Sequence, residues 1–266
     1  MDMKLGLFSW YGYESPVSQR LERIARAGFT STMLWWGEEP LPGSEINADH
    51  LKKASDLGIT VENIHVPFDD ANWLWAADRD IHQAYFSRYQ RYADCCARSG
   101  LSTMVMHVSK GHLVQAPNAF GIDTMRRLAT YCRKTGVSIA IENTRTVGLV
   151  AALLEAIEDG NFGLCYDTSH GRLYEDSEFW LLKKFPHRLK CLHISDNDGV
   201  EDRHWNIGEG IIDWNAFMLN LPKNTGCQTL SLEVYPRNKG EDETAFLQDA
   251  FSRASAMRES LLKRAG

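Results

Sequence analysis

The chain has 266 residues, 44% hydrophobic and 24% charged, with a net charge of -6. That is long enough for one large core and far too apolar for wholesale disorder, while no apolar run approaches the ~20 residues that cross a bilayer. The acidic balance argues against a nucleic-acid ligand, which needs local positive potential, unless bound metal ions reverse the field.

Short apolar, β-branched runs alternate with longer amphipathic segments. Lys4–Phe8 reads as a first strand, and Ser18–Ala27 as a helix stopped by Gly28. Thr30–Trp35 is a second strand, Ala48–Leu57 a helix, and Thr60–His65 a third strand. A long helix over Asp80–Arg98 precedes a fourth strand, Leu101–His107, and the helix Asn118–Lys134 precedes a fifth, Ser138–Asn143. Val147–Ile157 reads as helix, Phe162–Tyr166 as a sixth strand, Glu178–Phe185 as a short helix and Leu189–Ile194 as a seventh strand. Trp214–Leu219 is a helical turn or two, Thr229–Val234 an eighth strand and Glu241–Arg264 a final long helix. Eight strands each followed by a helix predict an α/β fold, a single (β/α)8 TIM barrel forming one domain over residues 1–266. A doubly wound open sheet fits less well, because Ser9-Trp10-Tyr11-Gly12-Tyr13 after the first strand is not a Gly-rich phosphate loop.

Barrel chemistry sits at the C-terminal ends of the strands. Strand three ends in His65, strand four in His107, and strand five in Glu142 and Asn143. Strand six runs into Asp167 and His170, strand seven carries His193 and Asp196, and strand eight carries Glu233. Any one of these is an ordinary cap or rim residue. Six consecutive strands delivering such groups to one rim require a compensating cation, since a ring of buried carboxylates and imidazoles is otherwise costly. The mix suits zinc, manganese, cobalt or iron better than calcium. Past strand seven, Asp202 and His204 stand at i, i+2, so in an extended segment they face one side. Aromatics crowd the rim at Trp10, Tyr11, Tyr13, Trp35, Trp36, Trp73 and Trp75, and suit the apolar faces of a sugar ring. Lys110, just past His107, is a candidate contact for a phosphate or other polar substituent.

At these residues the chain resembles the xylose-isomerase-like TIM-barrel superfamily of sugar isomerases, epimerases and endonuclease IV-type nucleases. The motifs are Ile64-His65-Val66-Pro67, His107, Ile141-Glu142-Asn143-Thr144, Tyr166-Asp167-Thr168-Ser169-His170, His193-Ile194-Ser195-Asp196, Asp202–Gly210 and Leu232-Glu233-Val234. In the ketose 3-epimerase branch the resemblance implies one divalent ion on Glu142, Asp167, His193 and Glu233, with His170 and Arg203 on substrate oxygens. In the endonuclease branch it implies three zinc ions. His65, His107 and Glu142 would hold the first, the same four residues the second, and His170, Asp202 and His204 the third. Leu7-Phe8-Ser9-Trp10 is unlike the nuclease N-terminal stretch, and acidic Glu38-Glu39 stands where a DNA-reading loop would want Arg or Lys.

The expectation is therefore a metal-dependent sugar or sugar-phosphate isomerase or epimerase. The alternative is a zinc phosphodiesterase acting on abasic-site DNA. Beside a Lewis-acidic ion (manganese, zinc, cobalt or magnesium), Glu142 and Glu233 from strands five and eight would flank the substrate, one removing a carbon-bound proton and the other returning one. Trp35, His170, Arg203 and Lys110 would contact it. The implied partner is a small carbohydrate rather than a nucleic acid or a membrane, and barrels of this size often form homo-oligomers. Six cysteines without a CxxC pair, and an N-terminus without signal-peptide features, point to reduced thiols and a cytoplasmic location.

Overall fold

The computed structural model describes residues 3–36, 48–223, 225–238 and 240–265. Its strands are β1 (Lys4–Phe8), β2 (Ser31–Trp35), β3 (Thr60–His65), β4 (Thr103–Met106), β5 (Ser138–Glu142), β6 (Phe162–Asp167), β7 (Leu189–His193) and β8 (Thr229–Leu232). They pair in parallel in the order β7-β6-β5-β4-β3-β2-β1-β8. The ring is completed just past β7. There the Ile194 amide donates to Ser231 O at 2.8 Å and the Glu233 amide to Ile194 O at 3.0 Å. This is a nearly closed (β/α)8 barrel, as the alternation of elements predicts.

The helices are α1 (Val17–Ala27), α2 (Ala48–Asp56), α3 (Arg79–Arg98), α4 (Ala119–Thr135), α5 (Val147–Ala156), α6 (Thr168–Tyr174), α7 (Trp180–Lys184), α8 (Trp214–Asn220) and α9 (Glu243–Ala265). Local chemistry sets their ends. Asp78 caps α3 by accepting from the Asp80 and Ile81 amides, and Asn118 caps α4 through the Gly121 amide. Gly28 ends α1 at φ 105, and a Cβ there would lie 2.8 Å from the Phe251 ring of α9. Strands such as Ser138–Glu142 are apolar on both faces because the barrel interior covers one and a helix the other. The interior holds one polar layer: Glu62 accepts from Ser231 Oγ at 2.6 Å and from Asn63 Nδ2 at 2.9 Å. The six cysteines are free thiols. Among the described residues no helix is long and apolar enough to cross a membrane.

Among the described residues three elements go beyond the sequence pattern, 3-10 turns at Ala71–Trp75 and Pro186–Arg188 and the short helix α6. All three are too short to carry a helical period. Just past α6, Glu175 accepts from the Trp180 amide at 2.6 Å and from the Tyr166 hydroxyl at 3.3 Å, tying β6, α6 and α7 together. Burial pushes its carboxyl up to about 7 against the two amides, the hydroxyl and Lys183. The folded state therefore holds this proton more tightly than the unfolded chain does. Its contribution to stability is present below about 4.5 and is lost as pH rises through about 7. Glu175→Gln, which cannot ionise, should match the parent near pH 5 and become the more stable of the two by pH 8. Urea unfolding midpoints at the two pH values check this, and a gap that does not open with pH would contradict it.

Candidate metal centre

The last rungs of the barrel bring the acidic and imidazole groups together. Asp167 ends β6 directly opposite His193 at the end of β7. Asn143 clamps this rung, its Nδ2 donating to Asp167 O at 2.9 Å and its Oδ1 accepting from the Asp167 amide at 2.6 Å. Asp167 is also the N-cap of α6: Oδ1 accepts from the His170 amide at 2.7 Å, which turns the other oxygen, Oδ2, into the barrel. Ligand atoms of Glu142, Asp167, His193 and Glu233 all lie within 4.8 Å of one another.

Two features of this cluster fit a divalent cation. Asp167 Oδ2 is buried without a hydrogen-bond partner. His193 Nδ1 lies 3.0 Å from Glu233 Oε2 and 3.3 Å from Glu142 Oε2, yet is aligned for a hydrogen bond with neither. Such atoms face a common point rather than each other, and three carboxylates with one imidazole make an oxygen-rich donor set for a divalent ion. Without an ion the charges are strained. Burial, with neighbouring carboxylates opposed by His170, pushes the Asp167 carboxyl up to about 7. Burial would also raise Glu142, but the imidazoles of His193 and His107 hold it well below the usual carboxylate range.

The remaining candidates form an outer shell around the same carboxylate. His65 Nε2 and His107 Nε2 approach Glu142 Oε2 at 3.1 and 3.2 Å, and these three residues form a second grouping within 4.8 Å. His170 spans two acids, with Nδ1 3.1 Å from Glu142 Oε1 and Nε2 3.1 Å from Asp202 Oδ2. His204 Nε2 meets the same Asp202 oxygen at 3.3 Å. Asp202 and His204 thus converge, but not along an extended segment: His204 has φ 50, in the left-handed region.

At the cluster opens a cavity of about 380 Å³, lined by acids and imidazoles, Glu142 and Glu233 of the cluster among them, with aromatics packed against these imidazoles. Trp35 and Trp10 are in this wall, Trp35 packing 5.3 Å from the His65 ring. Phe8, Phe68 and Tyr235 complete it. Each of those three stands at a strand end or within three residues of a candidate ligand, which is the signal that could have marked them. The other rim aromatics are not part of this wall: Trp73 is exposed, Tyr11 is buried and donates to Glu243, and Trp75 is buried and donates to Val108 O. Tyr13 donates to Glu241 O, Trp36 lies against Tyr92, and Trp73 packs beside Arg88.

Two expected substrate contacts do not line the cavity. Arg203 is paired with Asp198 at 2.8 Å and Glu201 at 2.7 Å, and Lys110 with Asp69 at 2.5 Å. Local acids only a few residues away, or on the facing loop, capture these flexible cations before they can turn inward. Glu38-Glu39 falls outside the described residues.

The model of the family described as xylose isomerase-like TIM barrel matches residues 21–254. The chain belongs to this family. An uncharacterized protein of Sinorhizobium fredii is 27% identical over 135 residues, which is 48% of this chain and 43% of that one, so the match spans less than half of the relative. Two solved structures share the fold of this xylose isomerase-like barrel. One is an L-ribulose 3-epimerase with a TM-score of 0.80 at 19% identity, covering 99% of this chain and 97% of that one. The other is a D-psicose 3-epimerase from Clostridium cellulolyticum H10 with a TM-score of 0.78 at 17% identity, covering 97% and 99%.

The loop that brings Asp202 and His204 to this xylose isomerase-like site is folded around Asp196. Its Oδ1 accepts from the Asn197 and Ile212 amides, and its Oδ2 from the Gly208 amide and the Trp214 indole, all between 2.9 and 3.1 Å. Gly210 permits this closure, since a Cβ there would lie 2.1 Å from Asn197 O and 2.4 Å from Asp196 Oδ1. Asp196 is thus an anchor beneath the loop rather than a member of the donor cluster. Asp196→Asn would turn an NH2 group toward two of these four donors and should destabilise the fold by about 2 kcal/mol. Denaturant unfolding checks the magnitude, and a variant as stable as the parent would remove Asp196 from this role.

Proposed function

We propose that the protein is a divalent-metal-dependent sugar isomerase or epimerase that moves a proton at a carbon next to a carbonyl. The observation that carries this reading is the convergence of Glu142, Asp167, His193 and Glu233 within 4.8 Å, beside an aromatic-walled cavity. The epimerases of like fold support the same direction of reading. Those four residues would hold the ion. When bound, it supplies Lewis acidity that polarises a substrate carbonyl and acidifies the neighbouring C–H.

The protein's own groups do the rest. Glu142 on β5 and Glu233 just past β8 both border the cavity, from strands three places apart round the barrel. One carboxylate removes the carbon-bound proton and the other returns a proton to the opposite face, giving the epimer. Return to the adjacent carbon gives the aldose–ketose isomer. His170 borders the cavity too, its two nitrogens facing Glu142 and Asp202, and is placed to orient these acids toward a bound sugar. The aromatic wall takes the apolar face of the sugar and excludes water from the reacting carbon.

A second reading has one observation in its favour. His65 and His107 converge with Glu142 in a grouping of their own, and His170 and His204 share Asp202, which the one-ion reading uses only for orientation. Three ions on this rim would suit phosphodiester hydrolysis.

The two readings separate on metal content. Elemental mass spectrometry of protein purified without chelator should give about one divalent ion per chain. About three would favour the hydrolytic reading, with abasic-site DNA as its substrate. Chelation should abolish solvent deuterium uptake into candidate ketoses, and re-addition of metal should restore it. Glu142→Gln and Glu233→Gln should each slow that uptake by about 100-fold or more. Uptake unchanged in both variants would rule out the proposed proton transfer.

A further inference from the structure

We infer that the pocket takes an uncharged, polyhydroxylated sugar and rejects its phosphate esters. This deepens the isomerase reading above and rests on it.

A phosphate dianion inside a protein needs fixed positive charge or a row of free amides. Among the described residues lining the cavity there is no lysine and no arginine. Of the cations on the surrounding loops, two are paired with acids, while Arg145 stacks on Tyr174 and Arg237 on Trp205, outside the lining. Lys110 points to Asp69, and Arg203 is held between Asp198 and Glu201. Arg20 is fully buried, its guanidinium 5.1 Å from the Trp10 ring and donating to Ser15 O, so it stands behind the wall and not in the cavity. The one helix that starts at the site, α6, has its first turn capped by Asp167.

The polar part of the lining consists of carboxylates, Glu142, Asp202 and Glu233, and imidazoles. Neutral hydroxyls find hydrogen-bond partners in both, and four half-buried rings, Trp10, Trp35, Phe68 and Tyr235, take the C–H face.

The test uses the metal-loaded protein and two readouts. Deuterium uptake from heavy water is followed by NMR for a panel of free ketopentoses and ketohexoses, and for the same sugars carrying a terminal phosphate. Intrinsic fluorescence, to which Trp10 and Trp35 in the wall contribute, is titrated with the free sugars and with inorganic phosphate. At least one free ketose should exchange, at least about 100-fold faster than its phosphate ester, and inorganic phosphate should give no saturable fluorescence change. A phosphate ester that exchanges as fast as the free sugar overturns this inference and leaves the isomerase reading standing. If no sugar of either kind exchanges, the isomerase reading fails and the titration alone decides. A saturable response to a free sugar and none to phosphate would still support a neutral-sugar pocket. Phosphate binding, or silence to both, would overturn it.

Discussion

The Glu142 side chain is 2% exposed, and four imidazoles lie within 3.3 Å of its carboxylate: His65, His107 and His193 at Oε2 and His170 at Oε1. A buried carboxylate is tolerated only with partners on every open side. Here the partners are themselves buried and must be oriented in turn. His65 Nδ1 is held at Val66 O and His204 Nδ1 at Glu233 O, while His170 leans on Asp202, and Asp202 accepts from Ser169 Oγ at 2.6 Å. His65 and His204 thus each have Nδ1 at a backbone carbonyl and Nε2 turned toward an acid. This arrangement presents imidazoles as ligands or hydrogen-bond donors in a set tautomer.

Parallel strands make such a cluster possible. Their C-terminal ends all emerge at one rim, and residues on the same rung face one another across neighbouring strands. The Asp167–His193 rung shows the economy of the arrangement: one carboxylate caps a helix with one oxygen and faces the donor cluster with the other. Moving the start of α6 by one residue would move both functions together. That is why the short helix, which adds little core, matters to the site.

The barrel and its donor cluster are legible in the sequence because both follow from periodicity. Strand runs such as Leu189–His193 and helix–glycine stops recur at regular spacing, and the ends of strands three to eight carry ionisable residues in place of apolar ones. What is not legible depends on contacts between distant segments. Nothing in the order of residues pairs Lys110 with Asp69, 41 positions away, and the acids that capture Arg203 read as an ordinary solvated loop. Asp196 looks like one more rim carboxylate until the four donors from residues 197–214 are seen around it. Half of the crowded aromatics face the core because loops fold over them, an outcome that local pattern does not encode.

His204 shows where the structure gives up local comfort for the site. A left-handed backbone costs a non-glycine residue about 1–2 kcal/mol, and His204 stands at φ 50. Three contacts hold it there. Its carbonyl accepts from the Tyr235 amide at 2.7 Å, its Nδ1 meets Glu233 O at 3.1 Å, and its Nε2 meets Asp202 at 3.3 Å. Glycine would relieve the backbone at this position but could supply neither ring contact. The strain is therefore retained by the demand that one side chain join the β7–α8 loop to the end of β8. Those are the two segments that carry Asp202 and Glu233, and they border the same cavity from different sides. A local rule broken at a residue with three independent restraints marks a position set by the site and not by the fold.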